Sequence, residues 1–225
     1  MTVLLVLFTF ATFLLIDYFR TRHTAAHPVL EVSDEKHNAV PRLQPALVGG
    51  FEVPENLRYH PGHTWVLSES PTLVRVGMDD FASKLTGTVE NITLPQRGQW
   101  TRQGQKLCTI HRDGCTVDMV SPIEGTVGDL NEAVVKNPKL ALGDPYGEGW
   151  LLTVQAPDAK IGFRNLLGGA LARWWMEESA TRLQRRLPMA FAGATAQDGG
   201  VAVTNISAQI PDEDWLPIAK EFFLS

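Results

Sequence analysis

The chain has 225 residues, 44% of them hydrophobic and 20% charged, with a formal net charge of -5. That balance is globular: it excludes a chain disordered throughout, a collagen-like or coiled-coil rod and, with its mild acidity, nucleic acid as the main partner. Two cysteines cannot staple a fold of this size, so a disulfide scaffold is excluded as well.

Residues 2–16 carry no charge, and Tyr18 and Phe19 prolong the apolar run past Asp17. As a helix this stretch spans about 28 Å, close to the hydrocarbon thickness of a bilayer. A cleavable secretory signal needs a basic stretch in front, and none precedes it. A buried amphipathic helix needs polar positions at helical spacing, and the run does not supply them. Residues 1–22 therefore read as a single transmembrane anchor that touches membrane lipid through residues 2–19. Arg20, Arg22 and His23 follow directly. This flank predicts a single-pass protein of the inner (cytoplasmic) membrane, N-terminus outside and C-terminal domain cytoplasmic, with both cysteines reduced. Residues 23–50 read as a polar linker. His23, His27, Asp34, Glu35, Lys36 and His37 alternate with prolines, and Gly49-Gly50 closes the segment. Neither the 3.6 nor the 2 period is sustained there, and its histidines read as solvated residues, not as metal ligands.

Residues 51–160 are predicted to be mainly β. Thr64–Leu67 and Thr72–Val76 are β-branched or aromatic runs bounded by turn residues. Further short strands are predicted over 88–93, 106–112, 115–120, 124–129 and 150–155. A short helix over 79–85, which Asp79 would cap, interrupts them. This is a sandwich or barrel pattern with one helix inserted. Residues 161–225 change character and predict a helical extension. Phe163, Leu167, Ala170, Leu171, Trp174, Ala180, Leu183 and Leu187 approximate a helical stripe, broken at Gly168-Gly169 and ended by Pro188. Lys160 through Leu187 holds six basic residues against two acidic ones. Trp174-Trp175 and the basic residues suit a membrane surface; packing on the β domain or on a partner protein is the alternative. A strand is predicted over 201–206. A last helix opens at Pro211-Asp212-Glu213-Asp214-Trp215 and ends in Phe222-Phe223, two rings that should dock on this chain or on another subunit.

Six stretches, in order, resemble the H protein of the glycine cleavage system. They are Arg58-Tyr59 with Gly62-His63-Thr64-Trp65-Val66; Val76-Gly77-Met78-Asp79-Asp80-Phe81-Ala82; and Leu85-Thr86-Gly87-Thr88-Val89 with Leu94-Pro95-Gln96-Arg97-Gly98. Then come Ser121-Pro122-Ile123-Glu124-Gly125-Thr126-Val127 with Asn131-Glu132-Ala133; Asn137-Pro138; and Asp144-Pro145-Tyr146-Gly147 with Gly149-Trp150-Leu151. The resemblance covers about residues 56–157 and implies a barrel-sandwich, or hammerhead, lipoyl-type β domain. It also implies a hairpin whose lysine carries lipoate, and here the chain departs. Counted back from Ser121-Pro122, the lysine position falls on Gly114 and a family glutamate on His111. Glycine has no amine to acylate, so no lipoyl cofactor is expected.

Asp113-Gly114 between apolar strands predicts a two-residue type I′ hairpin, with Arg112 opposite Cys115, Ile110 opposite Val117 and Cys108 opposite Met119. Strand alternation sends Cys108 and His111 to opposite faces, so Cys108-x-x-His111-x-x-x-Cys115 is not a metal site. No nucleophile elbow, phosphate loop, metalloprotease helix or dinucleotide fingerprint occurs, and no small-molecule substrate is evident. The expectation is a non-catalytic, non-lipoylated, membrane-anchored subunit. It would dock on subunits of a membrane protein complex from the cytoplasmic side, and a redox or photosynthetic complex is the home of such an architecture by analogy. Arg112, His111, Trp174, Trp175, Trp215, Phe222 and Phe223 are the interaction candidates. Two alternatives stand beside it: a lipoyl carrier using a displaced lysine in one-carbon or sulfur metabolism, and an adaptor for lipoate-handling enzymes that presents Arg112 and His111.

Overall fold

The computed structural model describes residues 46–187 and 206–224. The expected anchor over 1–22, the linker up to residue 45 and the expected strand up to residue 205 lie outside the described residues. Among the described residues no helix is long and apolar enough to cross a membrane.

The first described element corrects the linker's end. Ala46–Val48 (β1) and Phe51–Val53 (β2) form a hairpin, with Val48 opposite Phe51. Gly49 and Gly50 make its turn with φ of +58° and +88°, angles that a two-residue primed turn needs and glycine supplies without strain. Phe51 and Val53 face the core, and the Phe51 ring lies 4.8 Å from that of Phe81.

Two further antiparallel sheets build the β domain. The larger has the order β3-β4-β5-β11-β10-β7, from Arg58–His60, Thr64–Ser68, Leu73–Met78, Leu152–Gln155, Gly125–Leu130 and Trp100–Thr101. The smaller has the order β6-β8-β9, from Asn91–Thr93, Lys106–Arg112 and Cys115–Val120. The predicted strand over 88–93 is cut to its last three residues, and the one over 150–155 begins at Leu152. Trp65 packs across the β4–β5 pair of the larger sheet, opposite Gly77. Its indole lies across Gly77, where a β-carbon would come within 2.5 Å of the ring. Its Nε1 donates to the carbonyls of Met78 and Pro145, so the buried polar tip is satisfied.

Helix α1, Asp80–Thr86, has the predicted cap: Asp79 Oδ1 accepts from Ala82 N at 2.8 Å. Helices α2 (Glu132–Lys136), α3 (Lys139–Gly143) and α4 (Ala159–Gly162) are short connectors. Helix α5, Gly169–Arg186, starts at the predicted glycine break, where Gly169 has φ +55°. It turns Ala172, Trp175, Met176, Ser179, Ala180 and Leu183 inward. That is the spacing of one helical face, and it packs on the β domain, one of the alternatives the sequence left open. Helix α6, Asp212–Phe223, buries Trp215, Ile218, Ala219, Phe222 and Phe223 at the same spacing. The apolar ones among these join one hydrophobic core with the sheets.

Candidate functional site

The β8–β9 hairpin carries the position where the family resemblance places its acylated lysine. Its register is the predicted one: Cys108 pairs with Met119, Ile110 with Val117, and Arg112 with Cys115. Asp113 and Gly114 form the tip with φ of +48° and +75°, the two left-handed residues of a type I′ turn. A β-carbon on Gly114 would meet nothing within 4 Å, so the tip stands free. It presents no amine. Asp113 is held from below, its Oδ2 accepting from Arg112 Nε at 3.0 Å and from Thr88 Oγ1 at 3.4 Å.

The side chains below the tip turn away from the roles expected of them. Arg112 is 6% exposed: its Nη1 donates to the Thr86 carbonyl at 3.0 Å, and its guanidinium lies 4.7 Å over the Trp215 ring. Trp215 in turn donates from Nε1 to the Leu85 carbonyl at 2.9 Å. Arg112 and Trp215 thus lock α6 onto the hairpin and α1, which corrects their reading as surface contacts. Phe222 and Phe223 are buried on this chain's own domain, the first of the two docking places foreseen for them. His111 stays partly exposed and its Nε2 lies 2.8 Å from Thr93 Oγ1. The tandem tryptophans split: Trp175 is buried and Trp174 is 65% exposed.

Lys106 is the nearest amine on the strand. It sits at the far end of β8, about 26 Å from the tip at ~3.3 Å per residue. Its Nζ pairs with Asp118 Oδ1 at 2.8 Å. The two cysteines are free. Cys108 is buried, and that burial pushes its thiol up to about 12, with the Asp118 charge adding to the effect. Cys115, half-buried beside the turn, is the accessible one. A maleimide pulse on the native protein should therefore label Cys115 well before Cys108, with both labelled after denaturation; equal native rates would contradict this packing.

Sequence reasoning missed a second constellation behind the hairpin. His63 and Asp79 are both fully buried, with Nδ1 and Oδ2 at 2.8 Å. The imidazole stacks on Phe81 at 4.0 Å and 13° and lies 4.6 Å from the Trp175 ring. Phe222 stands edge-on at 6.0 Å. His63 Nε2 has no hydrogen-bond partner among the described residues. His63 itself adopts φ +59°, an uncommon backbone for a non-glycine residue, and the Asp79 amide donates to its carbonyl at 3.1 Å. The signal was in the sequence, since His63 and Asp79 lie in adjacent motifs, but only the β4–β5 pairing brings them together. Tyr59 lies nearby, its hydroxyl held protonated by burial and the Asp79 charge and donating to the Pro54 carbonyl. Among the described residues no group of three or more His, Cys, Asp or Glu is placed to hold a metal. A cavity of about 290 Å³ opens by Trp100, Gln103, Glu124, Asp158 and Ile161, and its lining, among the described residues, holds no Ser, Thr, Cys, His or Lys beside the two carboxylates.

A family model described as glycine cleavage H-protein matches residues 57–172. Glycine cleavage system H proteins of Mycobacterium avium (strain 104) and Alteromonas mediterranea are 36% and 35% identical, over 108 and 107 residues. Each alignment covers 48% of this chain, and 82% and 83% of those relatives. A crystal structure of a glycine cleavage system H protein from Mycobacterium marinum aligns at 25% identity with a TM-score of 0.47, covering 56% of this chain and 98% of that one. The β1–β2 hairpin, all but the first turn of α5 and all of α6 fall outside the matched residues.

Proposed function

The chain belongs to the glycine cleavage H-protein family, and we propose that it is a non-lipoylated, non-catalytic member tethered to a membrane through residues 2–19. In this reading it serves as a docking or stabilising subunit of a membrane protein complex, on the cytoplasmic side. One observation carries it: the free hairpin tip holds Gly114, where the resemblance places the acylated lysine. A swinging arm needs an amine at a turn tip; this tip has none, and the strand's own lysine is engaged by Asp118. What remains is the fold as a surface. The apolar, uncharged residues 2–16 support the tether, and the basic residues behind them support its orientation.

The test is an intact mass on protein extracted gently from its native membrane, with co-purifying subunits identified in the same run. An unmodified mass together with a stable set of membrane partners is the expected result. A mass raised by one lipoyl group, and restored to the unmodified value by Lys106→Arg, would overturn the reading and reinstate a carrier.

A further inference from the structure

The N-terminal half of α5 leaves two large apolar side chains exposed, although the helix has already buried one face on the β domain. Trp174 is 65% exposed and Leu171 54%, one helical turn apart. Leu47 of β1, at 37%, is exposed on the hairpin that packs against this helix. That packing is close: a β-carbon at Gly49 would touch Ala180, and Glu177 lies beside it. The chain coming from residues 2–19 therefore joins the domain at β1, directly against α5. Helix α5 thus lies beside the point where the chain enters the described part of the domain.

We propose that the Leu171–Trp174 face of α5 lies on the surface of the bilayer in which the chain is tethered. This rests on the anchor proposed above. Tryptophan suits that position because its ring is apolar and its N–H finds partners at the headgroup level. Charge does not drive the contact. On the outer side of α5, Glu177 and Glu178 offset Arg182 and Arg185, while Arg173 is held by Glu55 and Arg186 by Glu221. The face is apolar with balanced charge around it, which fits zwitterionic lipid as well as anionic lipid. The tether raises the local concentration, so two apolar side chains suffice for a contact that a free domain would not keep.

The experiment uses the full chain in nanodiscs of zwitterionic phospholipid, with and without brominated acyl chains that quench tryptophan on contact. Residues 2–19 contain no tryptophan, so the emission comes from the domain alone. Bromination should quench the wild type by a share that Trp174→Phe removes, on the order of one tryptophan in the six present. Leu171→Asp should reduce the same share while leaving the melting temperature unchanged. Anionic discs or added salt should leave the quenching as it is. Equal quenching of the wild type and Trp174→Phe, with the chain in the disc, would overturn the proposed face and leave the anchor standing. A chain that does not enter discs at all would overturn the anchor, and the face with it. Loss of Trp174 exposure on dimerisation, in discs where bromination has no effect, would assign the face to a second copy and overturn the lipid contact.

Discussion

Asp79→Ala is expected to destabilise the domain by about 3–5 kcal/mol, a large part of the ~5–15 kcal/mol that holds a domain folded. The carboxylate does two jobs with two oxygens. Oδ1 caps α1 through the Ala82 amide, and Oδ2 pairs with His63 Nδ1, both at 2.8 Å and with no solvent access. Losing a cap alone costs about 1 kcal/mol. Losing the pair leaves a fully buried imidazole, whose Nε2 already lacks a partner, with neither nitrogen satisfied. Thermal unfolding should show a fall of about 10 °C for a chain of this size. Asp79→Asn separates the two jobs: it keeps the cap acceptor and removes the charge. A loss for asparagine close to that for alanine assigns the effect to His63. A loss within 1 kcal/mol of the wild type for alanine would mean that the buried pair holds nothing together.

How much of this was legible in the sequence follows from how local each determinant is. The type I′ tip was readable because Asp113-Gly114 sets two consecutive positive φ angles, and the register of the whole β8–β9 ladder follows from the turn. The α1 cap was readable because Asp79 acts within three residues of itself, and the start of α5 because Gly168-Gly169 breaks a helical pattern within one turn. The β1–β2 hairpin was taken for linker: its strands are three residues each, too short to show a period, and Gly49-Gly50 marks a flexible tract as readily as a turn. What holds it is distant, with Phe51 against Phe81 and Lys84 Nζ donating to the Gly50 carbonyl at 3.1 Å. Arg112 failed for the same reason. An arginine beside a free hairpin tip reads as surface, and only α6, about a hundred residues later, covers it with Trp215. The family resemblance could not help there, because its match ends at residue 172. The place of Gly114 at the hairpin tip, by contrast, was legible locally, since the Asp113-Gly114 turn sets it.

Phe222→Ala decides what the C-terminal helix is for. The ring is 1% exposed, its centroid 4.9 Å from Phe81 and 6.0 Å from His63, with the Arg182 guanidinium 5.0 Å over its other side. Truncating a phenylalanine so placed costs about 3–5 kcal/mol, from lost transfer energy and the cavity left behind. Phe222 belongs to the same cluster as the His63–Asp79 pair, so the loss should be global. The melting temperature should fall as a single transition, by an amount similar to that for Asp79→Ala, and the two substitutions should be non-additive because they share a cavity wall. Leu224→Ala is the control: Leu224 is 54% exposed in the next turn and should change stability by less than 0.5 kcal/mol. A helix that served as a detachable dock would behave differently. Phe222→Ala would then leave the β-domain transition in place, raise hydrogen exchange over 212–223 alone, and release partners from a membrane extract. The closeness of α6 to β9, the Trp215 hydrogen bond to Leu85 and the Arg112 contact all predict the first outcome. The extension outside the family match is then part of the fold, closing over the face of the β8–β9 hairpin.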